Sequence, residues 1–360
     1  MKRIRSIAAV LSPMLLLVLL CCFAAPASAL PSADKGEMRT VIDMAGNEVR
    51  VPRQIKKVII TSWGEPFGIL ISLGKLDIIA GMCDTSRYPW VRYAFPQVKD
   101  IPDYGSFDKI NIEEILKADP DIIMAPYTAE KTNRKLRELG APVYVTKVED
   151  TDEYQIKELR ALAELLGESA RAEEILDYKK NLKDMVARRV ADLKPEEKKR
   201  VYIMRRTILE KHSNEWSSGQ AVELAGGINV AGDTDKGFET NLESLLSWDP
   251  EYIFQVIAVE NNRAYYNKLK DDPLYANISA IRTGNTYTFP IGINYWYMGS
   301  EGGLGPLLIG KVLYPERFKD INIREEADKF YKKFLGITLD DESYKVMLRG
   351  FDGAKSLGGL

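Results

Sequence analysis

Short apolar runs alternate with amphipathic stretches along most of the chain. In the first half, residues 57–61, 77–81, 121–124 and 143–145 read as buried strands, with 67–73 as a helix between the first two. In the second half, 201–204, 252–256 and 286–289 repeat the strand pattern. Strands separated by helices predict parallel sheets in an α/β architecture. Ahead of them, 40–43 and 48–51 flank Met44-Ala45-Gly46-Asn47, which predicts a small hairpin.

One pattern occurs twice without a gap. Asn111, Glu113, Leu116, Asp119 and Pro120 match Asn241, Glu243, Leu246, Asp249 and Pro250 in type and spacing. In each copy the asparagine caps a short helix, Asp-Pro stops it, and an apolar strand follows. A single such duplication predicts two similar lobes rather than a solenoid.

Between the copies, residues 152–193 hold few helix breakers. Leu159, Leu162, Ala163, Leu165 and Leu166 recur at helical spacing, and Ile175, Leu176, Tyr178, Leu182, Met185 and Val186 continue the pattern beyond Gly167. One long helix is expected, or two nearly continuous ones, followed by a solvated connector at 194–200. The expected organisation is an N-terminal lobe over 30–151, an interlobe helix over 152–193, and a C-terminal lobe with terminal helices over 194–360.

The first 29 residues have a different character. Lys2, Arg3 and Arg5 precede an apolar stretch that ends in Ala27-Ser28-Ala29, the pattern of a secretory signal peptide cleaved after Ala29. The apolar core from Met14 to Phe23 is short for a membrane-spanning helix. Cys21 and Cys22 leave a lipid-anchored surface form as the alternative to a free periplasmic protein. Cleavage leaves a mildly acidic chain whose one cysteine, Cys83, has no disulfide partner.

Composition then narrows the function. The 360 residues carry a formal charge of −2 and a single histidine. There is no large basic footprint for nucleic acid. One histidine, His212, cannot build a multi-histidine zinc site. It lies in the polar run Glu210-Lys211-His212-Ser213-Asn214 and is expected to be exposed. Cys83 is expected to be a small buried hydrophobe. Residues 305–311 fit the first seven positions of a phosphate-binding loop, but Val312 stands where Ser or Thr must hold magnesium, and the segment reads as a packed helix.

With these elements in place the chain resembles the class III solute-binding proteins of ABC importers. The matching residues are 40–46 as an opening hairpin, Leu73-Gly74 after the first helix, Tyr104-Gly105 before the first repeat copy, and 223–231 before the second. The resemblance implies two α/β lobes with parallel sheets, joined by one long rigid helix, with the ligand cleft between them. It also implies a permease dimer as partner, docked by one glutamate on each lobe, at Glu113 and Glu243. A monomer without a resident cofactor is expected.

Ligands of open α/β sheets sit beyond the carboxyl ends of the strands. The segments there carry Trp63, Arg87, Tyr88, Tyr104, Tyr127, Arg205, Arg206, Trp216, Tyr295, Trp296 and Tyr297. Aromatic and guanidinium groups suit a large, flat or partly anionic complex better than a bare ion. An iron–siderophore or similar metal chelate is the expected ligand, with a corrinoid such as cobalamin next, then haem or an oxyanion. A non-enzymatic binding protein is expected.

Overall fold

A computed structural model describes residues 35–62, 65–84, 89–107, 109–146, 150–256 and 262–348, all within one compact unit. The expected signal peptide, Cys21 and Cys22 lie outside the described residues, as do Trp63, Arg87 and Tyr88. No helix among the described residues is long and apolar enough to cross a membrane.

The described residues open with an antiparallel hairpin, β1 (Met38–Ile42) and β2 (Glu48–Pro52). Asp43 fixes it to the first lobe: its carboxylate accepts from the backbone N–H groups of Ala45 and Asn47 in the turn and from Val145 across the lobe. The first lobe continues with β3 (Val58–Ile60), α1 (Glu65–Ser72), β4 (Ile79–Met82) and α2 (Pro89–Ala94). Then come the short pair β5 (Gly105–Ser106) and β6 (Lys109–Ile110), followed by α3 (Ile112–Lys117), β7 (Ile122–Pro126), α4 (Glu130–Glu138) and β8 (Val143–Thr146). Its sheet is parallel, in the order β4-β3-β7-β8.

Two helices follow, α5 (Asp152–Leu166) and α6 (Ser169–Val190). The expectation of near-continuity fails here. Gly167 takes a left-handed φ of 75° and reverses the chain. Arg160 then pairs with Glu173, and Asp152 with Lys179 and Lys183, so the two helices run antiparallel. The 22-residue α6 alone is the long joining helix.

The second lobe runs β9 (Arg200–Met204), α7 (Ser217–Leu224), β10 (Ile228–Asn229), α8 (Leu242–Trp248), β11 (Tyr252–Gln255), α9 (Asn262–Asp271), α10 (Ser279–Thr283) and β12 (Thr286–Thr288). Its parallel sheet has the order β10-β9-β11-β12, so strands correspond one for one with the first lobe. The described residues end with α11 (Leu304–Leu313), α12 (Ile323–Leu335) and α13 (Asp341–Met347).

Side-chain alternation places the core. Val58 and Ile60 of β3, Ile122 and Met124 of β7, Val201 and Ile203 of β9, and Phe254 of β11 all belong to one apolar cluster that runs through both lobes. Their alternates, Ile59 and Ile123 in one lobe and Tyr202 and Ile253 in the other, fill two separate outer clusters. The terminal helices strengthen this shared core by crossing to the first lobe. Trp90 of α2 donates its indole N–H to Ser343 of α13 at 2.8 Å and packs on Tyr331 of α12. Ser72 of α1 is hydrogen bonded to Ser300 at 2.8 Å. Separating the lobes would expose close-packed apolar surface, which costs roughly 25 cal/mol per Å².

Candidate functional site: the cleft between the lobes

The carboxyl ends of the two central strands meet around one phenol. Burial first, and then the nearby Asp150, Tyr295 and Glu65, hold the Tyr297 hydroxyl well above its ordinary pKa, while Arg205 opposes them. Glu65 follows β3 of the first lobe and Arg205 follows β9 of the second. Tyr297 is buried between these two segments and packs edge-on against Phe289, with ring centres 4.8 Å apart. Asp150 accepts from Gln155 at 3.1 Å and from the hydroxyl of Ser217 at 2.9 Å, which fixes the start of α7. Tyr295 stacks on Tyr297 with ring centres 5.7 Å apart.

From Arg205 a shelf of rings extends along the second lobe. The guanidinium lies 4.2 Å from the centre of the Phe238 ring and pairs with Glu210 at 2.9 Å. Phe238 packs on Trp216 at 4.9 Å, and Trp216 stacks on His212 at 4.8 Å and 21°. The shelf is braced from beneath. Buried Lys211 donates to the carbonyls of Asp235 and Gly237 at 2.7 and 2.6 Å, clamping the strap that carries Phe238. The Trp216 indole donates to the carbonyl of Lys236 at 3.2 Å.

The expected contact residues divide into groups. Trp216 and Arg205 meet through Phe238, and Tyr295 stacks on Tyr297, whose phenol feels the charge of Arg205. Arg206 is exposed beside Arg205, and Tyr127 is exposed just beyond β7. Tyr104 lies over β4, where a Cβ on Gly81 would fall 2.0 Å from its ring, and joins the outer cluster of the first lobe. Burial raises its phenol, helped by Glu114. Trp296 is fully buried, and its indole donates to Tyr331 at 3.0 Å, so its ring belongs to the shared core.

His212 departs from its expected exposure. It is only 5% exposed, stacked under Trp216 and hydrogen bonded through Nδ1 to Ser218 at 2.9 Å. The polar sequence around it is satisfied locally, which lets the ring turn inward. Cys83 is fully buried as expected, and burial, then Asp103 and Asp84, push its thiol to about 12. Among the described residues no three His, Cys, Asp or Glu side chains converge as metal ligands.

Phe238, Glu65 and Asp150 were not singled out by the sequence reading. Glu65 carried a usable signal, because it lies in the segment directly after the first strand. Phe238 carried none, since it reaches the shelf only through the Lys211 clamp.

The repeat glutamates sit on matching helices. Asn111 caps α3 by accepting from the N–H of Glu114, and Asn241 caps α8 by accepting from Ser244. Asp119 and Asp249 end the two helices with left-handed φ values of 46° and 36°. Glu113 and Glu243 are exposed in the first turn of each.

Comparisons with known proteins agree with this architecture. A family model described as "Periplasmic binding protein" matches residues 58–291. The molybdate-binding protein MolA of Haemophilus influenzae is 23% identical over 323 residues, covering 82% of this chain and 90% of that protein. A cobalamin-binding protein of Halobacterium salinarum is 23% identical over 267 residues, 72% of this chain and 68% of that protein. Among solved structures, molybdate-bound MolA superposes with a TM-score of 0.73 at 20% identity, covering 84% of this chain and 99% of that one. Helicobacter pylori CeuE in its nickel–histidine complex gives 0.71 at 20% identity, with 87% and 99% covered. With its two parallel-sheet lobes and its match over most of the described residues, the chain belongs to the periplasmic binding protein family, in the class III form that serves ABC importers.

Proposed function

We propose that this protein captures an iron–siderophore or similar metal chelate outside the cytoplasmic membrane and delivers it to an ABC importer. The observation that carries the reading is the shelf of His212, Trp216 and Phe238 capped by the Arg205 guanidinium. Stacked rings offer flat contact area at low entropic cost, and a stacked guanidinium adds a cation to their faces. Arg205 is already paired with Glu210, and carboxylates of Glu65 and Asp150 lie near Tyr297. Both features disfavour a bare oxyanion at this end of the cleft, because like charges raise its energy there. A corrinoid is the second reading, since the same shelf accepts another broad apolar face. Haem ranks third and an oxyanion fourth.

Trp216, Arg205, Tyr295 and Tyr297 are the proposed ligand contacts, joined by Trp63, Arg87 and Tyr88 outside the described residues. Glu113 and Glu243 are the proposed docking carboxylates for the two halves of a permease dimer. Localisation is periplasmic after signal cleavage, with a lipid-anchored form as the alternative. The test adds a ferric catecholate, a ferric hydroxamate, cyanocobalamin, haemin and molybdate separately, with tryptophan fluorescence as the readout. A saturable response to a ferric chelate, lost in Trp216→Ala, is expected. Response to molybdate alone would overturn the reading.

A further inference from the structure

The segment that carries Tyr295 and Tyr297 is held by a buried carboxylate. Glu301 is 1% exposed. Its Oε2 accepts from the N–H of Asn294 at 2.7 Å, and its Oε1 accepts from the N–H of Ile293 at 3.2 Å. Oε1 also accepts a short hydrogen bond from the Tyr331 hydroxyl of α12. That hydroxyl in turn accepts from the Trp296 indole at 3.0 Å. The carboxyl thus ties Ile293 and Asn294 of the strap 293–296 to Tyr331 of α12, which in turn holds Trp296. The strap approaches closely enough that a Cβ on Gly292 would fall 2.1 Å from Oε1 and 2.0 Å from the Tyr331 hydroxyl.

Three donors converge on one carboxyl. An ionised carboxylate accepts from all of them, whereas a protonated one brings a donor of its own. The two states therefore hold the strap differently. We infer that Glu301 is the positioning residue of the cleft, fixing Tyr295 and Tyr297 against the ligand through the strap 293–296 and releasing them when it is protonated. This rests on the reading that those tyrosines contact the ligand.

The surroundings place the change in an accessible range. Burial pushes the Glu301 carboxyl up to about 8, against the hydrogen bonds from Tyr331, Asn294 and Ile293, which favour the charged form. The other ionisable neighbours are few. Tyr331 faces it from α12, with Tyr344 of α13 behind. Lys179 of α6 donates to the carbonyl of Gly299 at 3.3 Å, and Glu65 of α1 lies beside Gly299. Burial and Glu301 itself hold the Tyr331 phenol well above its ordinary value.

The experiment has two arms on the full chain. In the first, tryptophan fluorescence of the ligand-free protein is followed from pH 6 to 10. Trp296 and Trp90 both contact Tyr331, so wild type is expected to show a transition near pH 8. Glu301→Gln abolishes it. Tyr331→Phe removes one donor from the carboxylate, so its transition moves to higher pH. In the second arm, affinity for a ferric catecholate is measured across the same range. Wild type tightens about tenfold between pH 6.5 and 9.5, the worth of one hydrogen bond to a charged group, and Glu301→Gln stays at the weaker value throughout. A Glu301→Gln protein that keeps both the fluorescence transition and the wild-type affinity profile would overturn the inference. A ligand-free transition that behaves as expected, with no chelate bound at any pH, retains the titrating strap and removes the ligand reading instead. Circular dichroism melts of both variants check that each is folded, and Tyr331→Phe keeps the first arm decisive if Glu301→Gln is not.

Discussion

Helices α3 and α8 begin on the same asparagine cap and end on the same left-handed aspartate, yet their glutamates stand in different company. Glu113 has Lys117 one turn further on, at 3.2 Å, and Lys117 also pairs with Glu114 at 2.8 Å. The position that corresponds to Lys117 in the second copy is Ser247. The hydrogen bonds and charges of Glu114 and Glu113 raise the pKa of Lys117, so the lysine stays charged. The backbone of the duplication is kept while its charge is not: Glu113 is paired with Lys117, whereas no ion pair to Glu243 is found among the described residues. The aspartates diverge too. Asp249 accepts from the N–H and hydroxyl of Ser279 at 2.8 and 2.9 Å, fixing the start of α10, whereas Asp119 pairs with Lys35 at 2.9 Å.

The largest effect expected from this comparison comes from reversing both glutamates. Glu113→Lys with Glu243→Lys is expected to abolish chelate uptake in cells while leaving affinity for the chelate unchanged. Normal uptake would remove the docking role from both copies.

Asp249→Ala should destabilise more than Asp119→Ala, by about 1–2 kcal/mol, because it strands two donors at the start of a helix. Urea denaturation of the two variants measures the difference. Equal losses would mean that the surface ion pair to Lys35 matters as much as the Ser279 cap.

A control separates charge from scaffold. Asn111→Ala and Asn241→Ala should each cost about 1 kcal/mol, since both caps satisfy one N–H of a short helix. Unequal losses in denaturant would show that the lobes differ in stability and not only in surface charge.

The smallest effect sharpens the charge difference itself. Lys117→Ser makes the first copy resemble the second. It should strengthen association with permease in nanodiscs by roughly two- to fivefold, the range of one exposed ion pair. The gain should shrink in high salt.

The joint between the copies has its own signature in acid. Burial pushes the Asp152 carboxyl up, but Lys179 and Lys183 outweigh it and bring it down to about 2. Its stabilising contribution is present above the unfolded value of 3.8 and is lost as pH falls through about 2. Thermal melts between pH 5 and pH 2 should therefore be steeper for wild type than for Asp152→Asn. Parallel curves would show that this cluster does not hold the α5–α6 pair together.

Much of the fold was legible because its causes are local. Seven of the eight strands of the two sheets, the opening hairpin, the two asparagine caps and the Asp-Pro stops each depend on a few adjacent residues and are found where the pattern put them, whereas the two-residue β10 is too short to leave a pattern and was not expected. The fold-back at Gly167 was not legible. Helical periodicity reports which face is apolar and says nothing about the direction of the next helix. The site divides in the same way. Trp216, Arg205, Tyr295 and Tyr297 follow strand ends and could be listed from order alone. Trp296, between two of them, turned into the core because Tyr331, 35 positions later, supplies its hydrogen-bond acceptor.

The sequence by itself determined that there are two lobes of like topology, because strand patterning, caps and breakers are written in short runs and written twice. The tertiary structure decided what the lobes share. Alternate side chains of both sheets join one core, α12 and α13 cross to the first lobe, and Glu301 gathers donors from Ile293, Asn294 and Tyr331. Those partners are far apart along the chain or invisible to periodicity. Only the burial of apolar surface in three dimensions, and the need to satisfy each buried polar group, brings them together.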